Sequence, residues 1–170
     1  ITLLLFIGLA WGQKPSIYIF NIKENGIKDN RPVKAIQNII QKSFRKSKQY
    51  KVKNDNQVID YINKYKIDLK HCDTNCFKNI GFNNELDYLV TGKVKKTGTN
   101  WNLVISIIDV KTSAEPVLIS VKSKQGTMKL ISKLEKKLNK YILNIVEQNQ
   151  TVFMSSKDLN GIASLPQFIE

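Results

Sequence analysis

His71-Cys72-Asp73-Thr74-Asn75-Cys76 gathers the residues of this chain best suited to chemistry, its two cysteines and its single histidine, within six positions. A thiol beside an imidazole can act as an activated nucleophile, but His71 and Cys72 are sequence neighbours, whose side chains diverge more often than they meet. A zinc site would draw on His71, Cys72 and Cys76; a fourth ligand is not visible, and Cys-x3-Cys is an unusual spacing for structural zinc. A redox centre uses Cys-x-x-Cys, one residue shorter. The simplest chemistry is a structural disulfide between Cys72 and Cys76, which persists where thiols stay oxidised, outside the cytosol. Closing so small a loop contributes about 2 kcal/mol on the chain-entropy estimate. The expectation is a disulfide, with no catalytic residue, metal or cofactor.

Two further sets could act. Asp87 and Asp109 would serve as a pair of carboxylates for acid–base work, yet both fall at strand ends, where capping a turn is the ordinary role, and no glycine-rich phosphate loop precedes a helix. Lys129, Lys133, Lys136, Lys137 and Lys140 line one side of a helix. They form either a docking face for an anionic partner or the solvated side of an amphipathic helix. The whole chain has 27 Lys+Arg against 14 Asp+Glu, a net charge of +13. Such a surface attracts acidic proteins, anionic lipids, acidic glycans or nucleic acid through fields that salt screens. The abundance of Lys, Asn and Ile equally fits a biased genome.

At 170 residues the chain has room for one ordinary domain with extensions. Residues 1–12 are expected to be a signal peptide truncated at its start, because Ile1 to Ala10 is apolar but short of the roughly 20 residues that span a bilayer, and Ala10-Trp11-Gly12 offers small residues for cleavage before Gln13. An uncleaved anchor is the alternative. Residues 13–147 are expected to be a single α/β domain, and 148–170, with Gly161 and Pro166 and little periodicity, a linker or a truncated C-terminal extension.

The elements that must position these residues follow from periodicity. Ile17 to Ile22 reads as a buried strand, followed by a turn-rich loop from Glu24 to Asn30. Pro32 suits the first turn of a helix whose stripe is Ile36, Ile39, Ile40 and Phe44. Tyr50 to Lys53 alternates as a short strand, and Asn54 or Asp55 can cap a second helix carrying Val58, Ile59, Ile62 and Tyr65. Phe77 to Phe82 reads as a short helical turn. Leu86–Val94 and Trp101–Val110 read as an antiparallel hairpin, with a third strand from Val117 to Lys122. Thr127 then caps a long helix with Leu130, Ile131, Leu134, Leu138, Tyr141, Ile142 and Ile145 on one stripe. The predicted order β-α-β-α-β-β-β-α gives a two-layer α+β sandwich, with a mixed sheet of about five strands, resembling the anticodon-binding-like fold. Its expected core is Ile19, Ile36, Ile40, Tyr88, Val90, Leu103, Ile105, Ile107, Leu134, Leu138 and Ile142.

Asp87-Tyr88-Leu89-Val90-Thr91-Gly92-Lys93-Val94, followed by Trp101, Leu103 and Ile108-Asp109-Val110-Lys111-Thr112, resembles a bacterial envelope family that includes the periplasmic part of the curli-export protein CsgG, the amino-terminal domain of TolB and the penicillin-binding-protein activator LpoB. The likeness covers about residues 17–146. Glu85-Leu86 stands where the family usually has Gly-Ala, and Ser113 where it has Gly. Without the family, Gly92 suits a bulge or a close backbone approach. The resemblance implies a non-catalytic periplasmic protein-interaction or assembly domain, serving outer-membrane, export or peptidoglycan machinery. Its expected partners are envelope proteins, acidic ones among them, or an anionic membrane or cell-wall surface. The alternative is a basic nucleic-acid-binding domain, disfavoured by export and by the lack of aromatic–basic interleaving. A secreted or surface-anchored factor is third.

Overall fold

The computed structural model describes residues 14–53 and 56–162, with side chains through residue 145. The expected signal segment 1–12 and the cap at Asn54 or Asp55 lie outside the described residues.

The alternating apolar residues form strands, the first ending at Ile19 and not at the expected Ile22, and an open mixed sheet assembles in the order β3-β1-β4-β5-β6. These strands are β1 (Ser16–Ile19), β3 (Lys51–Lys53), β4 (Tyr88–Thr97), β5 (Asn100–Asp109) and β6 (Val117–Ser123). β1 runs parallel to β3 and β4, while β4, β5 and β6 form an antiparallel meander. A sixth strand, β2 (Lys23–Asn25), extends the edge begun by β1 along β4. The sequence carries no sign of it, because Lys23, Glu24 and Asn25 are all exposed and are placed by backbone pairing with β4.

From β1 to β2 the chain carries one residue more than β4 opposite: Ile19 pairs with Val90 and Lys23 with Lys93, so positions 19 to 23 face 90 to 93. The extra residue keeps Ile22 on the same side of the sheet as Ile17 and Ile19, inside the main core. Its Cδ1 lies 2.6 Å from where a Cβ at position 92 would stand, which is why Gly92 is there. No bulge is needed in β4, whose pairing with β5 is unbroken from Tyr88 to Thr97. The hairpin closes through only Gly98 and Thr99, with Gly98 at φ 59°, a backbone angle that suits glycine in a two-residue turn.

One face of the sheet is covered by α1 (Arg31–Ser47) and α4 (Gly126–Ile162). Pro32 sits in the first turn of α1, where its missing N–H costs nothing. The helix buries Val33, Ile36, Ile40 and Phe44. It ends at Lys48 in the left-handed region, whose N–H donates to the Arg45 carbonyl. α4 begins one residue before the expected Thr127, at Gly126 with φ 82°, and buries Leu130, Leu134, Leu138 and Ile142. Its helical backbone continues past residue 147, where the sequence patterning stops. Against these two stripes lie Ile17, Ile19, Val90, Leu103, Ile105, Ile107, Ile119 and Val121. Every expected core residue is buried except Tyr88, which is half-buried beside them.

The reverse face is covered at one end by α2 (Asn56–Lys64) and α3 (Thr74–Asn83). A second cluster forms there from Phe20, Val58, Phe77, Ile80, Leu86, Leu89, Ile108 and Val110. α2 buries less than its periodicity suggests: Val58 is buried, but Ile59 and Tyr65 are exposed. α3 is a full helix rather than a turn, and it approaches so closely that a Cβ on Gly81 would stand 2.5 Å from Val110.

Leu134 and Ile105 are fully buried on opposite sides of the main core. Leu134→Ala and Ile105→Ala should each lower unfolding free energy by about 2–5 kcal/mol, measured by urea titration. Unchanged midpoints for both would show that the faces are assigned wrongly.

Candidate interaction surface

Cys72 and Cys76 are bonded to each other, with their Cα atoms 5.3 Å apart. The bridge spans the start of α3, where the Asp73 carboxylate caps the helix by accepting from the Cys76 N–H at 2.8 Å. Both sulfurs' residues pack against the second cluster. Nucleophilic chemistry has no partner here, because the thiols are consumed and the His71 ring faces Asp68, Nδ1 to Oδ2 at 2.7 Å, on an exposed loop. Among the described residues, no group of three or more His, Cys, Asp and Glu side chains is arranged to hold a metal.

Asp87 and Asp109 are each engaged in separate contacts that hold the fold. Asp109 caps the turn after β5, accepting from the N–H groups of Lys111 at 2.9 Å and Thr112 at 3.1 Å. Asp87 was expected to cap a turn too, and instead clamps two distant segments. Its carboxylate accepts from the Ser16 N–H at 2.7 Å and the Ser16 hydroxyl at 2.9 Å, and pairs with the Lys111 ammonium. Burial, the largest single influence, disfavours its charge; Lys111 and the Ser16 donors together outweigh it and hold the carboxyl below its ordinary pKa.

The rest of the family-like motif divides between the two faces. Val90 and Trp101 enter the main core, while Leu89, Ile108 and Val110 enter the second cluster. Tyr88 stacks edge-on against Tyr50 at 5.6 Å. Burial, with nearby Tyr88 and Asp109, pushes the Tyr141 phenol up to about 12. These positions hold the domain together, and none presents a reactive group to solvent.

Lys129, Lys133, Lys136, Lys137 and Lys140 are all exposed. Two of them have work that the sequence did not disclose. Lys133 Nζ donates to the Lys122 carbonyl at 3.1 Å, and Lys137 Nζ to the Ser120 carbonyl at 2.8 Å. Both acceptors belong to β6, the end strand of the sheet. The available signal was a helix with lysines at i and i+4 directly after an edge strand.

The open half of the reverse face is mostly polar, with Thr91, Lys93, Lys95, Asn102 and Ser106 around a shallow depression that Val104 and Phe77 also line. Beside it a groove of about 1020 Å³ lies between the β1–β2 edge and the α2–α3 segment. Its floor includes Tyr18, Phe20 and Phe77, and its rim carries both signs, Lys23, Lys70 and Lys93 with Glu24 and Asp68. Lys23 reaches across to the Leu69 carbonyl. No helix among the described residues is long and apolar enough to cross a membrane.

An open, mixed α+β sheet with two long helices on one face defines the architectural class. Among solved structures it is similar to the LpoB C-terminal domain from Escherichia coli, with a TM-score of 0.52 and 9% identity over 66% of this chain and 84% of that one. The lipoprotein GNA1162 from Neisseria meningitidis is similar with a TM-score of 0.51 and 14% identity, over 78% and 96% of the two chains. At these identities the likeness establishes the fold. No protein-family model and no curated protein sequence matches the chain.

Removing the bridge by Cys72→Ser with Cys76→Ser should lower stability by about 2 kcal/mol. Non-reducing peptide mapping of protein from its natural compartment should recover the two cysteines as one linked species; two free thiols would refute the pairing. Asp87→Asn should cost about 1–3 kcal/mol near neutral pH, as the loss of charged hydrogen bonds does. Because the folded-state pKa is depressed, the stabilisation is complete above the unfolded value of about 3.9 and disappears as pH falls through the folded pKa. The difference between wild type and variant in urea titrations should therefore hold from pH 7 to about 5 and narrow below pH 3.9. An equal difference at pH 7 and pH 2 would exclude the carboxylate as its source.

Proposed function

We propose that this chain is a non-catalytic protein-interaction domain of the bacterial cell envelope, an adaptor or assembly part that receives acidic partners on the lysine side of α4. The observation that carries this is the concentration of charge: between residues 126 and 145 five lysines stand against one carboxylate, Glu135. The other candidate groups are occupied in holding the fold. Clustered exposed charge of one sign raises encounter rates with an oppositely charged partner and sets the salt dependence of binding.

Three features support the envelope. The fold is similar to that of LpoB and of a lipoprotein, the cysteines form a bridge suited to an oxidising compartment, and the apolar segment 1–12 suits export through a signal peptide. The CsgG and TolB parts of the sequence resemblance rest on the motif. Nucleic-acid binding across the sheet would call for exposed aromatic rings to stack bases; the one ring lining the open half, Phe77, is buried in the second cluster, and Trp101 is buried on the other side.

Association with acidic proteins captured and crosslinked from envelope extracts tests the proposal. Lys136→Gln with Lys140→Gln leaves the Lys133 and Lys137 contacts to β6 in place, and should slow association and flatten its salt dependence with unchanged thermal stability. An unchanged rate and salt response, or preferential retention of nucleic acid fragments, would overturn it.

A further inference from the structure

In an antiparallel ladder each residue directs its N–H and C=O to the same side. Ser120 and Lys122 turn their carbonyls toward the lysines of α4, and hence away from β5. Leu118 shares their phase. The free edge of β6 is thus formed by the backbone of residues 118, 120 and 122. Its second half is covered by two ammonium groups, while the Val117–Leu118 end presents exposed apolar side chains, 44% and 66% accessible. The opposite edge, β3, is only three residues long.

Lysines over an edge strand prevent indiscriminate pairing. They also define what could pair. An incoming strand must donate its own N–H groups to the Ser120 and Lys122 carbonyls, which displaces Lys133 and Lys137. The two displaced ammonium groups would stand beside the new strand, within reach of its side chains. Carboxylates at alternate positions of the incoming strand, on the side facing α4, would take them up.

We propose that β6 receives an extended acidic segment of a partner protein by strand addition, with Lys133 and Lys137 passing from the β6 carbonyls to the carboxylates of that segment. The Val117–Leu118 end supplies an apolar anchor, and strand addition of this kind draws affinity from the main chain and specificity from alternate side chains. A second copy of this chain fits poorly, because its own β6 carries no carboxylate to take up Lys133 and Lys137. The inference rests on the protein-interaction reading above and specifies its partner.

The probe is a ten-residue peptide of alternating valine and glutamate with blocked ends, added to the full chain and followed by fluorescence anisotropy and amide hydrogen exchange. It should bind at least tenfold more tightly than its valine–lysine counterpart. N-methylation at alternate backbone nitrogens, which removes N–H donors and keeps the charge, should cost at least tenfold. Exchange at residues 118, 120 and 122 should slow. Lys133→Ala with Lys137→Ala should weaken the glutamate peptide and strengthen binding of a valine–threonine peptide. Equal binding of the N-methylated and unmodified peptides would overturn strand addition while leaving acidic-partner docking intact. Binding of neither peptide, or concentration-dependent self-association through β6 instead, would also overturn it. Leu118→Pro removes one edge N–H and should reduce binding; should it unfold the chain, Leu118→Asp tests the apolar anchor in a soluble fold.

Discussion

The structure depends on the first half of β4 being buried from both sides at once. Tyr88, Leu89 and Val90 pair with β1 on one flank and β5 on the other, while Val90 meets α1 and α4 and Leu89 meets α3. A strand so enclosed has no tolerance for a one-residue slip, which would exchange its two apolar faces. It also explains why Asp87 is a clamp. Standing directly before β4, it ties the start of β1 through Ser16 and the end of β5 through Lys111, so the three central strands are fastened at the point where the two apolar clusters adjoin.

The sequence was most legible where burial has one period. Leu103, Ile105 and Ile107 alternate without exception, and Leu130, Leu134 and Leu138 recur at helical spacing; the meander and both long helices follow from them. Legibility failed where polar residues continue a strand. Lys95, Lys96 and Thr97 look like loop, yet all three pair with β5, and Lys96 lies over the Trp101 ring at 5.3 Å. β2 was invisible for the same reason. α3 was read too short because its first turn is stabilised by a cap and a bridge rather than by apolar recurrence. The lysine contacts to β6 left only an indirect trace, the i, i+4 spacing of Lys133 and Lys137 directly after the strand, since a backbone carbonyl carries no residue-type signature.

Charge in this protein therefore has two scales. Over the whole chain, the surplus of lysine sets a diffuse field that acts at range and fades with salt. At β6 the same residue type acts at hydrogen-bond distance, on particular carbonyls. The first property is visible in composition and says little about mechanism; the second depends on α4 following β6 closely enough for its side chains to reach back.

The extra residue between Ile19 and Lys23 gives the β1–β2 edge a key. A regular strand can slide along its neighbour by two residues and still present the same faces, which makes such a shift the least costly of registration errors. Here Ile22 fits only opposite a position with no side chain, and Gly92 is the single glycine in β4. The parallel edge can therefore lock against the centre of the sheet at one setting alone, although the segments it joins are some seventy residues apart in the chain.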